Sequence, residues 1–194
     1  MAVGRPKTFD AEATLDAVVE ILSREGVRAT SLNEIAARTG ASKPALARAF
    51  GGKEALTVRA LERYLCTIEA PLREALAGDG SLEEVATRYL GAFAALHTRT
   101  NSAPGCLLAT ASSDCSALED GPLRRTVEAA LAENLAALRD RLARAGAQAP
   151  DDLARFLAGQ TVAMSVMARN GATRGDLTRF AKLAVRAVRD EADL

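Results

Sequence analysis

The residues best suited to chemistry crowd between positions 31 and 53: Lys43, Arg48 and Lys53, interleaved with Ser31, Asn33, Ser42, Pro44 and Ala45. Ammonium and guanidinium groups bind phosphate oxygens, hydroxyls and amides bond to phosphates or base edges, and an alanine methyl can meet a thymine methyl. Arg5 and Lys7 add two cations in the glycine- and proline-marked stretch "GRPKTFD", a basic arm suited to the DNA backbone or minor groove and expected to be disordered without DNA. This is recognition chemistry. Catalysis has no comparable set: His97 is the single histidine, and neither a phosphate-cradling glycine loop nor a nucleophile elbow occurs. Cys66, Cys106 and Cys115 lack metal-ligand spacing. The expectation is therefore a non-enzyme with no cofactor and no metal.

The elements that must position these groups are short helices. Ser31 and Glu34 have capping-box spacing, so a helix should begin near Leu32, present Leu32, Ile35 and Ala36 on one face and stop at Gly40. Ser42 can cap a second helix with Pro44 in its first turn, running to about Phe50 and burying Leu46 and Phe50. Ser42, Lys43, Ala45 and Arg48 then face outward. Two short helices joined by a glycine turn form a helix-turn-helix, the second helix being the one that enters a major groove. Such helices are too short to stand alone. Asp10 to Glu25, with Leu15, Val18, Val19 and Leu22 at helical spacing, supplies the third.

The stretches "GRPKTFD" and "ILSREGVRATSLNEIAARTGASKPALARAFGGKEAL", with the long helix that follows, resemble the amino-terminal domain of the TetR/AcrR family of bacterial transcriptional regulators over residues 4 to 65. The resemblance implies an all-α homodimer: a three-helix DNA-binding head at residues 1–54 and a larger ligand-binding and dimerisation domain at 55–194. It implies operator DNA as one partner and a small-molecule effector as the other. Lys53 matches the lysine of the family's K-E-x-L pattern and would sit on a phosphate, whereas Ala47 replaces the tyrosine that commonly contacts one.

Beyond the head the pattern is helical throughout. Leu61, Leu65, Ile68, Leu72 and Leu76 form a stripe that Pro71 should kink or weaken. Ser81 and Glu84 repeat the capping box ahead of Leu82, Val85, Tyr89, Phe93 and Leu96, in a helix ending near His97. A short helix should start at about Cys106, and one after Gly121-Pro122 should align Val127, Leu131, Leu135, Leu138 and Leu142. The last two helices, about 152–170 and 175–191, carry two apolar faces: Phe156, Gln160, Met164 and Met167 against Ala154, Ala158, Val162 and Val166, then Leu177, Phe180, Ala184 and Val188 against Leu183 and Ala187. Two faces need two partners: one can be the body and the other a second copy of the chain, in the four-helix interface that the resemblance suggests, and the plainer reading is a single buried helix pair in a monomer.

Tyr89, Phe93, His97, Cys106, Gln160, Met164 and Met167 are the candidate effector contacts, chosen because pockets combine apolar walls with few polar groups. Each has a plainer reading as core. Cys106, at a helix start after Pro104-Gly105, is either a packed thiol or a dipole-favoured thiolate that senses oxidants.

Charge lends modest support. Residues 1–60 hold nine Lys or Arg against seven Asp or Glu, and the whole chain balances at 25 against 25. No net field steers it to DNA, so binding must come from local placement and doubled sites. With no apolar run of membrane length and a polar start, the expected location is the cytosol, and the odd cysteine count fits reduced thiols. Two alternatives stay open: a helical ligand binder whose head has lost DNA competence, and a thiol-based sensor that still binds DNA.

Overall fold

A computed structural model describes residues 9–100, 102–115 and 120–192, so Arg5 and Lys7 lie outside the described residues. It is all-α, a three-helix head followed by a larger helical body: α1 (Ala11–Glu25), α2 (Leu32–Thr39), α3 (Lys43–Phe50), α4 (Lys53–Leu76), α5 (Leu82–His97), α6 (Leu107–Cys115), α7 (Pro122–Arg144), α8 (Pro150–Arg169) and α9 (Arg174–Ala192).

The head forms as its local signals dictate. Asp10 caps α1 by accepting from the N–H groups of Glu12 and Ala13, both at 3.1 Å. Ser31 and Glu34 close a reciprocal capping box on α2, whose end is set by Gly40 at φ 71°. Ser42 Oγ accepts from Ala45 N at 3.3 Å, and Pro44 lies in the first turn of α3. Leu22, Ile35, Leu46 and Leu56 are fully buried together, so α2 and α3 are clamped between α1 and α4. That burial compensates for helices below self-sustaining length.

Two apolar cores share α4. Leu56, Leu61, Tyr64 and Ile68 belong with the head, α6 and the first half of α7, while Leu72 joins α5, α8, α9 and the second half of α7. Contrary to the interruption expected at Pro71, α4 is one unbroken helix of 24 residues. Ile68 and Leu72, buried on either side of the proline, hold it in line.

Two stripes differ from expectation. On α7, Leu131 is 37 % exposed and Leu135 half-buried, whereas Leu123, Val127, Ala130, Leu138, Arg141 and Leu142 face inward. The reason is a change of neighbour, α4 and α6 first and α8 later. On α8, which starts at Pro150, the inner face is Leu153, Leu157, Thr161, Met164 and Ala168, and Phe156 points outward with Val162 and Val166. With Leu183 of α9, 62 % exposed, these form an apolar surface on the last two helices.

The turn before α6 is tight. A methyl added at Gly105, φ 94°, would lie 2.7 Å from Arg169 Cγ and 3.1 Å from Ser165 Oγ, whereas one at Gly146, φ 91°, would meet nothing within 4 Å. Gly146→Ala should therefore cost only the backbone penalty of about 1–2 kcal/mol. Gly105→Ala should cost clearly more, because Arg169 must also move. Thermal unfolding of the two variants side by side checks this, and equal losses would show that Arg169 gives way freely.

Candidate nucleic-acid interface

Among the outward residues of α3, Ser42, Lys43, Pro44, Ala47, Arg48 and Ala49 are exposed and Ala45 is half-buried. Asn33 and Ser31 are exposed at the start of α2, and Lys53, half-buried, opens α4. The predicted head residues that are described are thus all exposed or half-buried, on or next to α2, α3 and the start of α4. They are not equally free. Ser31 is engaged in its capping box, and Glu34, hydrogen-bonded to the Ser31 backbone and hydroxyl, is held below the usual carboxylate range. Ser42 accepts one N–H and keeps its own O–H to donate. Lys43, Arg48 and Lys53 have no carboxylate partner among the described residues, whereas Arg38 is paired to Glu25 at 3.2 Å and Arg63 forks onto Asp16 and Glu12 at 2.9 Å. The cations on and beside α3 are thus among those left without carboxylates, as is Arg28 in the turn before α2. Between them the surface is methyl groups, which let a helix approach a groove wall closely.

What fixes this face relative to the body was not legible in the sequence. Asp114, near the end of α6, accepts from the backbone N–H groups of Val27 at 2.8 Å and Arg28 at 3.1 Å, in the turn between α1 and α2. Arg169, closing α8, donates to the Arg24 carbonyl at 3.0 Å and to Thr110 Oγ1 at 3.1 Å. The Ala103 N–H donates to the Glu20 carboxylate, and Cys106 N donates to Ser165 Oγ at 2.8 Å. These bonds tie the head to α6 and α8, independently of α4.

The candidate effector residues lie deeper. Tyr89, Phe93 and His97 follow one another along the inner face of α5, with ring centroids 5.1 Å and 5.4 Å apart, and Met164 is fully buried on α8. Gln160 and Met167 are half-buried, and Gln160 donates to the Phe156 carbonyl at 3.4 Å. Cys106 belongs to the core shared with the head, and the thiolate reading does not hold: burial pushes the thiol up, despite its place at the start of α6 and the Tyr64 hydroxyl against it. Burial likewise pushes the Tyr64 and Tyr89 phenols up.

His97 is 1 % exposed, with Nε2 3.2 Å from the Thr161 carbonyl, so that nitrogen carries the proton in the neutral ring. Buried Nδ1 has no hydrogen-bond partner. Burial outweighs the neighbouring backbone and lowers the ring to about 4 from 6.5. A lowered folded-state value means that between about pH 4 and 6.5 the unfolded chain binds the extra proton. His97 therefore lends nothing adverse above pH 6.5, and stability falls as pH drops from 6.5 towards 4, by about 3 kcal/mol in all. The imidazole C–H resonances of this single histidine should stay at their neutral positions at pH 5.5, and His97→Gln should flatten the dependence. Titration near 6.5 in the folded protein would overturn this.

Comparison with known proteins bears on this geometry. Residues 15–60 match the family model described as bacterial regulatory proteins, tetR family. The HTH-type transcriptional repressor ComR of Escherichia coli (strain K12) is 30 % identical over 193 residues, covering 94 % of this chain and 90 % of ComR. Among solved structures, a cysteine mutant of the TetR family regulator CifR, complexed with 26-base-pair operator DNA, superposes with a TM-score of 0.79 at 27 % identity, covering 95 % of this chain and 99 % of that one. AibR, in complex with isovaleryl coenzyme A and operator DNA, shares the fold, with a TM-score of 0.73 at 18 % identity over 91 % of this chain and 96 % of its own.

Proposed function

The chain belongs to the TetR family of bacterial regulatory proteins, and from that premise we propose that it is a repressor that binds operator DNA through α3 and releases it when a small molecule occupies the body. The observation that carries this reading is the outward face of α3, where Lys43 and Arg48 stand without carboxylates and alanines lie between them. Lys43, Arg48, Lys53, Ser42 and the amino-terminal Arg5 and Lys7 act on phosphates, while Pro44, Ala45 and Asn33 lie closest to base edges. Ala47 offers no phosphate contact, which places more of the binding on the lysines.

A second copy completes the reader. The apolar surface of Phe156, Val162, Val166 and Leu183 supports pairing through α8 and α9, which doubles the half-site and compensates for a head with little net charge. No helix among the described residues is long and apolar enough to cross a membrane. Induction requires the effector to favour the conformer whose heads are wrongly spaced for successive major grooves, since equal affinity for both shifts nothing. The buried residues Tyr89, Phe93, His97 and Met164, with Cys106, Gln160 and Met167 around them, are candidates for sensing occupancy through repacking.

Selection from a random duplex pool at two salt concentrations should enrich a palindrome with the full-length protein. Lys43→Ala should weaken binding to it and lower the salt slope by about one per half-site if the contact is to phosphate. Loss of sequence preference as well would assign Lys43 to a base edge. A folded dimer that enriches no sequence would instead favour a ligand binder with a retired head.

A further inference from the structure

Arg28 belongs neither to the helix-turn-helix nor to the amino-terminal arm. It stands exposed in the turn between α1 and α2, three residues ahead of the Ser31 cap, and pairs with no carboxylate among the described residues. Its side chain lines a cleft of about 650 Å³ together with Val27, Lys53, Glu54, Thr57 and Leu123. Lys53 opens α4 directly after α3 and the two glycines that follow it, so the cleft lies beside the carboxyl end of the recognition helix.

The other charges of the cleft are mostly engaged. Arg124 is held by Glu128 at 2.8 Å, Glu54 Oε1 accepts the Leu123 N–H at 3.4 Å, and Asp120 stands exposed ahead of α7. Arg28 and Lys53 are thus two cations on one cleft without an ion pair among the described residues. Like charges so placed repel each other, and an anion between them relieves the repulsion. The two are also set by different elements. Asp114 Oδ2, near the end of α6, accepts from the backbone N–H groups of Val27 at 2.8 Å and Arg28 at 3.1 Å, while Thr30 Oγ1 closes the same turn on the Gly26 carbonyl at 2.7 Å. The backbone of Arg28 is therefore fixed to α6, and only its side chain is free to reach across. Lys53 moves with α4.

We propose that Arg28 contacts a phosphate of the operator backbone beside the one met by Lys53, and that Asp114 is the positioning residue that holds it there from the body. A phosphate suits the site because the cleft is open to solvent and both cations sit on long side chains, which gather backbone oxygens without reading a base. Since α6 places Arg28 and α4 places Lys53, both cations grip the strand only while those two helices keep their present arrangement. This assignment rests on the reading of the protein as an operator binder and adds to it a contact outside the recognition helix that the body controls.

The experiment is fluorescence-anisotropy titration of the selected operator duplex, and of a random duplex, with the full chain over a series of salt concentrations. Arg28→Ala should weaken operator binding roughly tenfold, the scale of one charge-assisted hydrogen bond, and lower the salt slope by about one per half-site, with the unfolding temperature unchanged. Arg28→Lys keeps the charge and should keep the slope. Asp114→Ala should weaken binding in the parent but cost nothing further in Arg28→Ala, and Asp114→Asn, which retains an acceptor oxygen, should bind as the parent does. An unchanged slope in Arg28→Ala, or an altered base preference, would overturn the phosphate contact. Equal losses from Asp114→Ala with and without Arg28 would overturn the positioning role. Inorganic phosphate that raises the unfolding temperature of the parent but not of Arg28→Ala, with operator binding alike in the two, would assign the cleft to a free anion instead. A parent that binds neither duplex would sink the repressor reading and this contact together, whereas an operator bound equally well without Arg28 would sink this contact alone.

Discussion

A recognition helix of eight residues has to be held in shape from outside, and here the holding is done by α4. Leu46 is wholly enclosed in the core that α3 shares with Leu56, Ala60 and Leu61 of α4, and Ile35 of α2 in the same core through α1 and α3. The same helix continues without a break past Pro71 into the second core. The orientation of the α3 surface is therefore a property of the whole chain. A displacement at Leu72 or Leu76 is carried by a packed helix, since cores of native density do not absorb shifts gradually.

The hydrogen bonds of Asp114 and Arg169 give that continuity a second route. Asp114 satisfies two backbone donors in the turn between α1 and α2, and Arg169 joins the end of α1 to α6 from the end of α8. Since α8 also carries the exposed Phe156, Val162 and Val166, that apolar surface and the carbonyl of Arg24 belong to one mechanical unit. A head fixed at two places can be reoriented only by changing both together, a requirement that favours two discrete arrangements over a continuum.

The sequence was legible where structure is local. Ser31 with Glu34, Gly40, and Ser42 with Pro44 each act within four residues, and α2, α3 and their turn follow from them. Stripes read along a single helix were less secure, because periodicity reports that a helix has an apolar side but not when its neighbour changes. Leu131 lies where α7 passes from one neighbour to the next, and Phe156 sits one stripe away from Leu153, Leu157 and Thr161. Contacts across the chain carried no signal at all: nothing around Asp114 announces Val27, and nothing around Arg169 announces Arg24. Arg141 resembled any solvated arginine on an amphipathic helix until its surroundings were known.

Charge placement follows the same division. A chain with no net charge cannot draw DNA from a distance, so attraction must be arranged at contact range, within a Debye length of about 10 Å. In the head Arg63 is held by Asp16 and Glu12, and Arg38 by Glu25, whereas Arg28, Lys43, Arg48 and Lys53 have no ion pair among the described residues. In the body the logic inverts, because Arg141 is shielded from water with no carboxylate to meet it. The start of α4 thus presents Lys53 beside α3, while on α7 a guanidinium is enclosed away from water.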